Sequence, residues 1–386
     1  MKINKIENIY IRIPREEAYP SLSKRFPLPE YFETRLVHIS TDEGIDGYAE
    51  GVAGAYAARR LIGKDPTMIE RFLDEGIIEN EPFLEHALWD VIGKAAGQPV
   101  YKLLGGHKNK IKVYLTTVWK DRRKGVFGDP EEWAYVAEFF VKHGFKAMKI
   151  QVHRPDPFED LKTIKAIRDR VGDKIEIMCD RTGRPDGRVW SHYTALKMAR
   201  ELEKLNVAWL EEPLDRNDLD GLSELAAAVD IPITGGEAER GIHKFKLFLE
   251  KRCFDIVQPD VHWGNGILVA KKIAALAEAY CKPCIFHGSD GLGAASTLQA
   301  SGAVPNCPWF ELTTHALQPP YPYSPPEPPI LPWERWEPFN LLLKDKPLYK
   351  IEDGYIKIPE NPGLGVRINE EAIETVSYTH LTLPTN

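Results

Sequence analysis

The sequence predicts an α/β fold: a (β/α)₈ or closely modified barrel, with a smaller α+β domain before it. Short apolar runs recur from residue 112 onward, and their successive starts lie 22 to 35 residues apart. Helical stretches separate most of these runs, and eight strand–helix units at this spacing are typical of a barrel. A chain of 386 residues can hold a barrel of ~250 residues and a second domain. The runs cover 112–117, 147–152, 175–180, 207–212, 233–237, 255–260, 283–288 and 309–312.

The N-terminal part of the chain has a different pattern. Residues 1–13 alternate between apolar and polar side chains, as expected of a strand with one buried face. Residues 34–40 and 46–50 form a predicted strand pair around the turn sequence Thr41-Asp42-Glu43-Gly44. Residues 82–95 are apolar at helical spacing. We therefore predict an α+β domain over residues 1–108.

The barrel is predicted over residues 109–330. One of its helices opens at Asp129-Pro130, a capping residue followed by a proline in the first turn, and ends at Gly144. A proline-rich connector follows at 319–333. Residues 341–373 return to strand-like alternation and turns and are predicted to rejoin the N-terminal sheet, so that the C-terminal segment 331–375 returns to the N-terminal domain. Residues 376–386 show no pattern that continues the fold, so we interpret them as a non-native or disordered tail.

Composition limits the functional classes. A net charge of −7 argues against nucleic-acid binding, which needs a basic face. No run of ~18 apolar residues could cross a membrane, and the N-terminus lacks the apolar segment of a signal peptide. The five cysteines predict reduced thiols in a cytoplasmic protein. The pair Cys281 and Cys284 leaves a zinc or redox site as a weak alternative to two small residues on a buried strand.

Acidic residues end three consecutive predicted strands of the barrel: Asp180, Glu211 and Glu237. The carboxyl ends of barrel strands meet at one mouth, where active sites of this fold lie. Three carboxylates there would repel each other unless a cation neutralises them, and oxygen ligands select a hard ion such as Mg²⁺. The alternative is that each acid caps the next helix or pairs with a nearby arginine.

Asp260 and His287 end the next two predicted strands. A carboxylate that hydrogen-bonds an imidazole fixes its tautomer and raises its basicity, so His287 is the candidate general base. Lys149, at the end of the second strand, is a candidate cation beside a developing enolate oxygen. Glu311, on the last strand, could orient substrate or, if protonated, donate a hydrogen bond to it. A core histidine, a surface lysine and a strand-end ion pair are the structural alternatives.

The sequence resembles the mandelate racemase/muconate lactonising enzyme family of the enolase superfamily from residue 1 to about 370. The resemblance rests on the segments at 40–51 and 87–94, on Gly97-Gln98-Pro99-Val100-Tyr101-Lys102-Leu103-Leu104-Gly105-Gly106, and on the Glu-Glu-Pro and Gln-Pro-Asp motifs. It implies that the N-terminal region and the C-terminal segment form a capping domain over the barrel. It also implies homo-oligomers and a small-molecule carboxylate substrate.

The resemblance assigns roles to individual residues. Asp180, Glu211 and Glu237 would be the Mg²⁺ ligands, and Asp260 with His287 would be the dyad of the mandelate racemase-like subgroup. A loop near residues 15–30 would close the site, with Tyr19 and Arg25 as substrate-binding candidates. Arg181, Arg184 and Arg188, just past the third strand, could contact a polyhydroxy acid; the alternative is a solvated loop.

Gln151 and the strand-three motif depart from the family pattern. Gln151 stands where many members carry a second lysine that acts as the opposing base. The third strand ends in Asp180-Arg181-Thr182, where the family usually has Asp-x-Asn or Asp-x-His. Racemisation needs proton-transfer groups on both faces of the substrate carbon, whereas dehydration can run with one base. We therefore predict a sugar-acid dehydratase that gives a 2-keto-3-deoxy acid. The alternatives are an epimerase, racemase or cycloisomerase of the same superfamily, and a non-catalytic metabolite-binding member.

Overall fold

The computed structural model of the protein describes residues 1–25, 28–117, 128–182, 189–313 and 328–382. It contains an N-terminal sheet of four strands and a larger, mostly parallel sheet of nine. Within these ranges no helix is long and apolar enough to cross a membrane. The apolar core is largely continuous, because side chains from both sheets pack into one cluster.

The N-terminal sheet forms as the alternating pattern predicts. β1 and β2 pair antiparallel along nearly their whole length, and β2 pairs with β3 across the turn at Thr41 to Gly44. Helix α4 packs on this sheet through its apolar face. The elements of this region are β1 Ile3–Pro14, α1 Arg15–Ala18, β2 Tyr31–Thr41, β3 Asp46–Glu50, α2 Ala55–Leu61, α3 Ile69–Asp74, α4 Pro82–Ala95 and α5 Val100–Leu103.

The larger sheet confirms most of the predicted barrel strands. Its parallel strands follow chain order from β4 to β9, and β10 returns to pair with β4. The strands are β4 Lys110–Thr117, β5 Ala147–Gln151, β6 Glu176–Asp180, β7 Val207–Glu211, β8 Ile233–Gly235, β9 Ile256–Val257 and β10 Trp309–Thr313. The seventh predicted run is reduced to two isolated bridges, Val257 with Cys284 and Asp260 with His287. The arrangement is compatible with a TIM-type barrel, although the strand ladder is not closed within the described residues.

Helices alternate with these strands. Helix α6 begins as its sequence predicts: the Asp129 carboxylate accepts a hydrogen bond from Glu132 N at 2.9 Å, and Glu132 accepts one from Asp129 N at 3.0 Å. This reciprocal cap satisfies two backbone donors that the first helical turn would leave unpaired. The helices are α6 Pro130–Lys142, α7 Phe158–Val171, α8 His192–Lys204, α9 Leu219–Ala228, α10 Ile242–Glu250, α11 Gly266–Ala279 and α12 Gly293–Gly302.

The C-terminal segment corrects two expectations. Its first strands, β11 Ile351–Glu352 and β12 Tyr355–Lys357, extend the larger sheet beside β4 rather than rejoining the N-terminal sheet. The segment does return to the N-terminal domain further along, where Gly363 pairs with Pro99 and Leu364 N donates a hydrogen bond to Asp90 Oδ1 at 2.8 Å. The tail predicted at 376–386 to be non-native or disordered includes the strand β13 Ser377–Thr382, which pairs antiparallel with β1. Disorder is therefore wrong for residues 377–382, and a non-native origin stays a prediction. The physical reason is that β1 otherwise presents an unpaired edge, which favours the addition of a strand. The helices of this segment are α13 Pro332–Arg335, α14 Glu337–Leu341 and α15 Glu370–Val376.

The cysteines are all free thiols. Cys281 is exposed and Cys284 is buried. Within the described ranges they do not belong to any cluster of three His, Cys, Asp or Glu side chains suited to a metal ion. The predicted connector at 319–333 lies outside the described residues up to residue 327.

Candidate active site

The inner side chains of the barrel strands change from apolar to polar toward the strands' carboxyl ends. Side chains two residues apart on a strand point to the same face. The lower inner layer is a buried aromatic and aliphatic cluster that includes Tyr114, Met178, Trp209, Ile285 and Trp309. Two residues further along the same segments stand Thr116, Asp180, Glu211, His287 and Glu311. Each of these segments therefore places a polar side chain at the mouth of the barrel. We call these five side chains, together with Lys149 and Glu237 that contact them, the cup.

Lys149 lies at the centre of the cup. Its ammonium is 2.9 Å from both carboxylate oxygens of Glu211, 2.8 Å from Glu311 Oε1 and 3.8 Å from Asp180 Oδ2. Only 1% of its surface is exposed. Burial lowers the pKa of this amine, but Glu211 and Glu311 outweigh that effect and raise the pKa of Lys149 well above its usual value. Lys149 is therefore a fixed buried cation, and the surface-lysine alternative is wrong.

Glu311 is held as a carboxylate. Burial would raise its pKa, but Lys149, followed by His287, lowers the pKa of Glu311 to about 2. The hydroxyl of Thr116 donates a hydrogen bond to one of its oxygens, and Gly288 N donates to the other at 2.8 Å. The neighbouring cation thus stabilises the ionised form of Glu311, which favours the predicted role of orienting substrate over that of a protonated hydrogen-bond donor.

His287 faces two carboxylates. Its Nδ1 lies 2.7 Å from Asp260 Oδ2, and its Nε2 lies 3.1 Å from Glu237 Oε2. Its side chain is 20% exposed, so the ring can be reached from the mouth. Burial lowers the pKa of His287, but Glu237 and Asp260 raise it well above its usual value. The structure thus brings Asp260 and His287 into the predicted hydrogen-bonded pair.

Asp260 is fixed by the turn that follows it. Its Oδ1 accepts hydrogen bonds from Trp263 N at 2.6 Å and Gly264 N at 2.9 Å, in the π-helical turn Val261–Asn265. The other oxygen, Oδ2, is thereby directed to His287. The Trp263 ring packs edge-on against the imidazole with 5.8 Å between ring centres. A carboxylate held in this way fixes both the tautomer and the orientation of its histidine.

Glu237 also pairs with Arg216, which sequence reasoning missed. Arg216 Nη2 lies 2.8 Å from Glu237 Oε1, and its Nε lies 2.8 Å from Glu212 Oε1. Glu212 has a φ of 46°, a left-handed conformation that costs free energy in a non-glycine residue and is concentrated at functional sites. Although burial raises the pKa of Glu237, His287 and Arg216 lower it to about 2. The four-residue separation of Glu212 and Arg216 was the available sequence signal.

The remaining two acids of the cup are incompletely neutralised. Burial raises the pKa of Asp180, and it raises that of Glu211 to about 8 despite Lys149 beside them. Repulsion from Glu237 and Glu311 adds to both shifts. Asp180 Oδ1 accepts a hydrogen bond from Thr182 N at 2.5 Å, and Glu211 Oε2 accepts one from Gln258 Nε2 at 3.0 Å. The cup therefore carries more acid than its own cations neutralise.

Carboxylate oxygens are a donor set that suits a hard divalent cation. In the described ranges, however, no three His, Cys, Asp or Glu side chains are already arranged around a common metal position. The internal ion pairs of Lys149, His287 and Arg216 hold the acids instead. The chemistry of the donors fits Mg²⁺, and binding would have to replace some of these contacts.

The predicted substrate-binding residues lie in other surroundings. Arg181 follows Asp180 on the opposite face of the strand end, and its guanidinium lies 5.5 Å from the Trp190 ring centre. Tyr19 is buried and packs edge-on against Phe32.

Arg25 joins the loop near residue 20 to the C-terminal segment. It donates hydrogen bonds to Glu334 Oε1 at 2.7 Å and to Pro328 O at 2.6 Å. Arg184 and Arg188 lie outside the described residues.

The comparisons with known proteins agree with this fold. Residues 133–372 match the family described as "Enolase C-terminal domain-like". Arabinonate dehydratase of Saccharolobus solfataricus is 32% identical over 370 residues, which cover 89% of this chain and 90% of the relative. L-talarate/galactarate dehydratase of Salmonella typhimurium is 27% identical over 383 residues, which cover 93% and 86%. The names of these relatives are consistent with a hydro-lyase.

A solved structure gives the same result. The crystal structure of a member of the enolase superfamily from Polaromonas sp. JS666 matches with a TM-score of 0.77 and 25% identity over 98% of both chains. The family match spans more than half of the chain, and it includes every acid of the cup as well as the Asp260–His287 pair. This protein therefore belongs to the enolase superfamily.

Proposed function

We propose that the protein is a Mg²⁺-dependent dehydratase of a sugar acid, either an aldonate or an aldarate. His287 would remove the proton next to the substrate carboxylate, and loss of the β-hydroxyl would give a 2-keto-3-deoxy acid. The observation that carries this proposal is the Asp260–His287 pair at 2.7 Å, placed at the edge of a cup of buried carboxylates. A divalent metal with a His or Lys base is the established pattern of the enolase superfamily.

His287 supplies the proton transfer. A base must be neutral, and here the ring nitrogen that faces the mouth, Nε2, is engaged by Glu237 at 3.1 Å. Glu237 is one of the three acids that we assign to the metal, and a carboxylate that ligates a cation stabilises a proton on Nε2 less strongly. Asp260 keeps its hydrogen bond to Nδ1 and stabilises the imidazolium that forms when Nε2 takes the α-proton.

The cations of the cup would stabilise the enediolate. Asp180, Glu211 and Glu237 would hold Mg²⁺, which supplies Lewis-acid stabilisation of the substrate carboxylate as the α-proton leaves. Lys149 is fixed by Glu211 and Glu311 and can donate a hydrogen bond to one oxygen of that carboxylate. The β-hydroxyl then leaves as water, and His287 can return the proton that it has taken.

Gln151 disfavours the racemase alternative. It is the inner residue of β5 beyond Lys149, and an amide cannot exchange a proton with carbon at neutral pH. His287 is separated from β5 by the four strands β6 to β9 in sheet order. Proton transfer is therefore assigned to the His287 face of the substrate alone.

A substrate screen tests the proposal. The purified protein with Mg²⁺ is incubated with a library of mono- and diacid sugars, and α-keto acid formation is measured. We expect at least one acid to give a 2-keto-3-deoxy product. Solvent deuterium in recovered substrate from both stereoisomers, without keto acid, would instead indicate an epimerase. Turnover of none of the acids would contradict the proposal and favour a binding protein.

A further inference from the structure

We infer that the side-chain amide of Gln151 binds a hydroxyl group of the substrate. Gln151 therefore selects acids that carry a hydroxyl, rather than a second carboxylate, at this point of the barrel mouth. The inference rests on the proposed function, because it assumes that a sugar acid occupies the cup. It gives Gln151 a positive role where the family resemblance shows only a missing base.

The placement of Gln151 follows from strand register. It is paired with Asp180 across β5 and β6, and Asp180 is paired in turn with Glu211 across β6 and β7. Residues in register on parallel strands point to the same side of the sheet, so the amide faces the cup together with these two acids. Gln151 also lies ~6–7 Å beyond Lys149 along the same face, one layer nearer to the mouth.

Within the described residues the side-chain amide of Gln151 has no hydrogen-bond partner. Its Oε1 is buried without a hydrogen bond, and its Nε2 makes none to this part of the chain either. The residue is only 7% exposed. Leaving a buried polar group unpaired costs free energy, and this cost is recovered if a ligand supplies the missing partner. The neighbouring buried polar groups of the cup, such as Glu211 and Lys149, all have partners.

The chemistry of an amide selects a hydroxyl. An amide offers both an acceptor and a donor, and a hydroxyl can satisfy either one. A carboxylate can only accept hydrogen bonds, so it would leave Oε1 unpaired. A second carboxylate here would also lie beside Asp180 and Glu211, which would repel it. The expected preference is for a polyhydroxy monoacid whose chain passes Gln151.

The test compares one acid with its deoxy analogues. Wild type and Gln151→Met are assayed with a parent aldonate and with analogues that each lack one hydroxyl. Methionine matches the length of glutamine and removes both polar atoms. We expect wild type to prefer the parent over one analogue by about 10- to 100-fold in kcat/KM, and the variant to reduce that ratio to near one. Thr117→Val is the matched control, because Thr117 donates its hydroxyl to Lys149 O and lies next to the inner Thr116 on β4. The control should keep the ratio.

Calorimetric measurement of acid binding distinguishes a failure of the proposed function from a failure of the inference about Gln151. If wild type turns over none of the acids but binds the parent more tightly than the analogue, and Gln151→Met loses this difference, the proposed function fails and the inference stands. If turnover occurs but Gln151→Met keeps the wild-type ratio, the inference is overturned. It is also overturned if the variant only weakens Mg²⁺ binding in the absence of acid, because the amide would then serve a metal-bound water. Binding of no acid at all overturns both.

Discussion

The cup and the seam between α4 and the barrel both bury ionisable side chains, but they stabilise them differently. In the cup, buried acids lie against buried or half-buried cations such as Lys149 and His287. At the seam, Glu85 is 2% exposed and accepts hydrogen bonds from Ile267 N at 2.7 Å and Leu268 N at 2.9 Å, at the start of α11. His86 beside it is fully buried, and its Nε2 is hydrogen-bonded to Val261 O at 3.2 Å.

The difference shows in the pKa values. Burial raises the pKa of Glu85 to about 7, since backbone hydrogen bonds only partly offset the loss of water. In the cup, Glu311 is 1% exposed and the Glu237 side chain 13%, yet full counter-charges lower the pKa of each to about 2. A helix start can therefore hold a buried acid in place, whereas a formal cation is needed to keep it ionised. The cations of the cup therefore keep Glu237 and Glu311 ionised at neutral pH, whereas burial at the seam favours the neutral forms of Glu85 and His86.

Removal of the divalent metal should lower activity more than any of the substitutions that follow. If removal had no effect, the contrast between the charged cup and the seam would not hold. We expect a chelator to abolish keto-acid formation and Mg²⁺ to restore it, because the acids of the cup exceed its internal cations. Binding should also raise the thermal midpoint, since the metal binds only the folded protein. Glu85→Gln should retain the Mg²⁺-dependent shift in the midpoint, because Glu85 belongs to the seam. Full activity in the chelator would contradict the metal assignment.

Substitution of the base should have the next largest effect. His287→Asn is expected to lower kcat by about 10²- to 10⁴-fold, the range typical of a lost general base. The measurement is α-keto acid formation, with deuterium exchange at the α-carbon as a second readout. His143→Asn is the control, since His143 is exposed at the end of α6. Retained exchange in the His287 variant would assign proton removal to another group.

Lys149→Met tests the buried cation of the cup. Removing one partner from a buried ion pair is expected to cost about 3–5 kcal/mol of unfolding free energy, because Glu211 and Glu311 are left uncompensated. Urea denaturation in the absence of metal measures the change. Lys146→Met is the matched control on the same strand segment, since its side chain is 55% exposed and lies 3.5 Å from Asp353. That exposed pair should contribute less than about 1 kcal/mol. Equal effects of the two variants would refute the assignment of Lys149 as the central cation.

The smallest expected effect is a pH slope at the seam. Burial lowers the pKa of His86 well below 6.5. As the pH falls below 6.5, the His86 imidazole is therefore protonated in the unfolded chain but stays neutral in the folded protein. This group therefore costs stability as the pH falls below 6.5, by at most about 1.4 kcal/mol per pH unit. His86→Phe should remove that part of the slope between pH 6.5 and 5, as measured by urea denaturation. An unchanged slope would show that His86 is charged in the folded state.

Much of the site could be predicted from the sequence because barrel strands place their last inner residues at one mouth. The short apolar runs gave the strand positions, and Asp180, Glu211 and His287 each end such a run. The Asp260–His287 contact was predicted from adjacent strand ends, and the structure confirms it. The roles of the acids and of the dyad in catalysis remain predictions that the experiments above address.

The sequence by itself determined the order of strands and helices, because alternation and helix capping depend on residues close together in the chain. The tertiary structure alone decided which charges meet: Lys149 with Glu311, Arg216 with Glu237, and β13 on the free edge of β1. Only the tertiary structure left the Gln151 side-chain oxygen buried without a hydrogen bond among the described residues. The physical reason is that these contacts join residues far apart in sequence, and their energies depend on burial, which exists only after the barrel strands have come together.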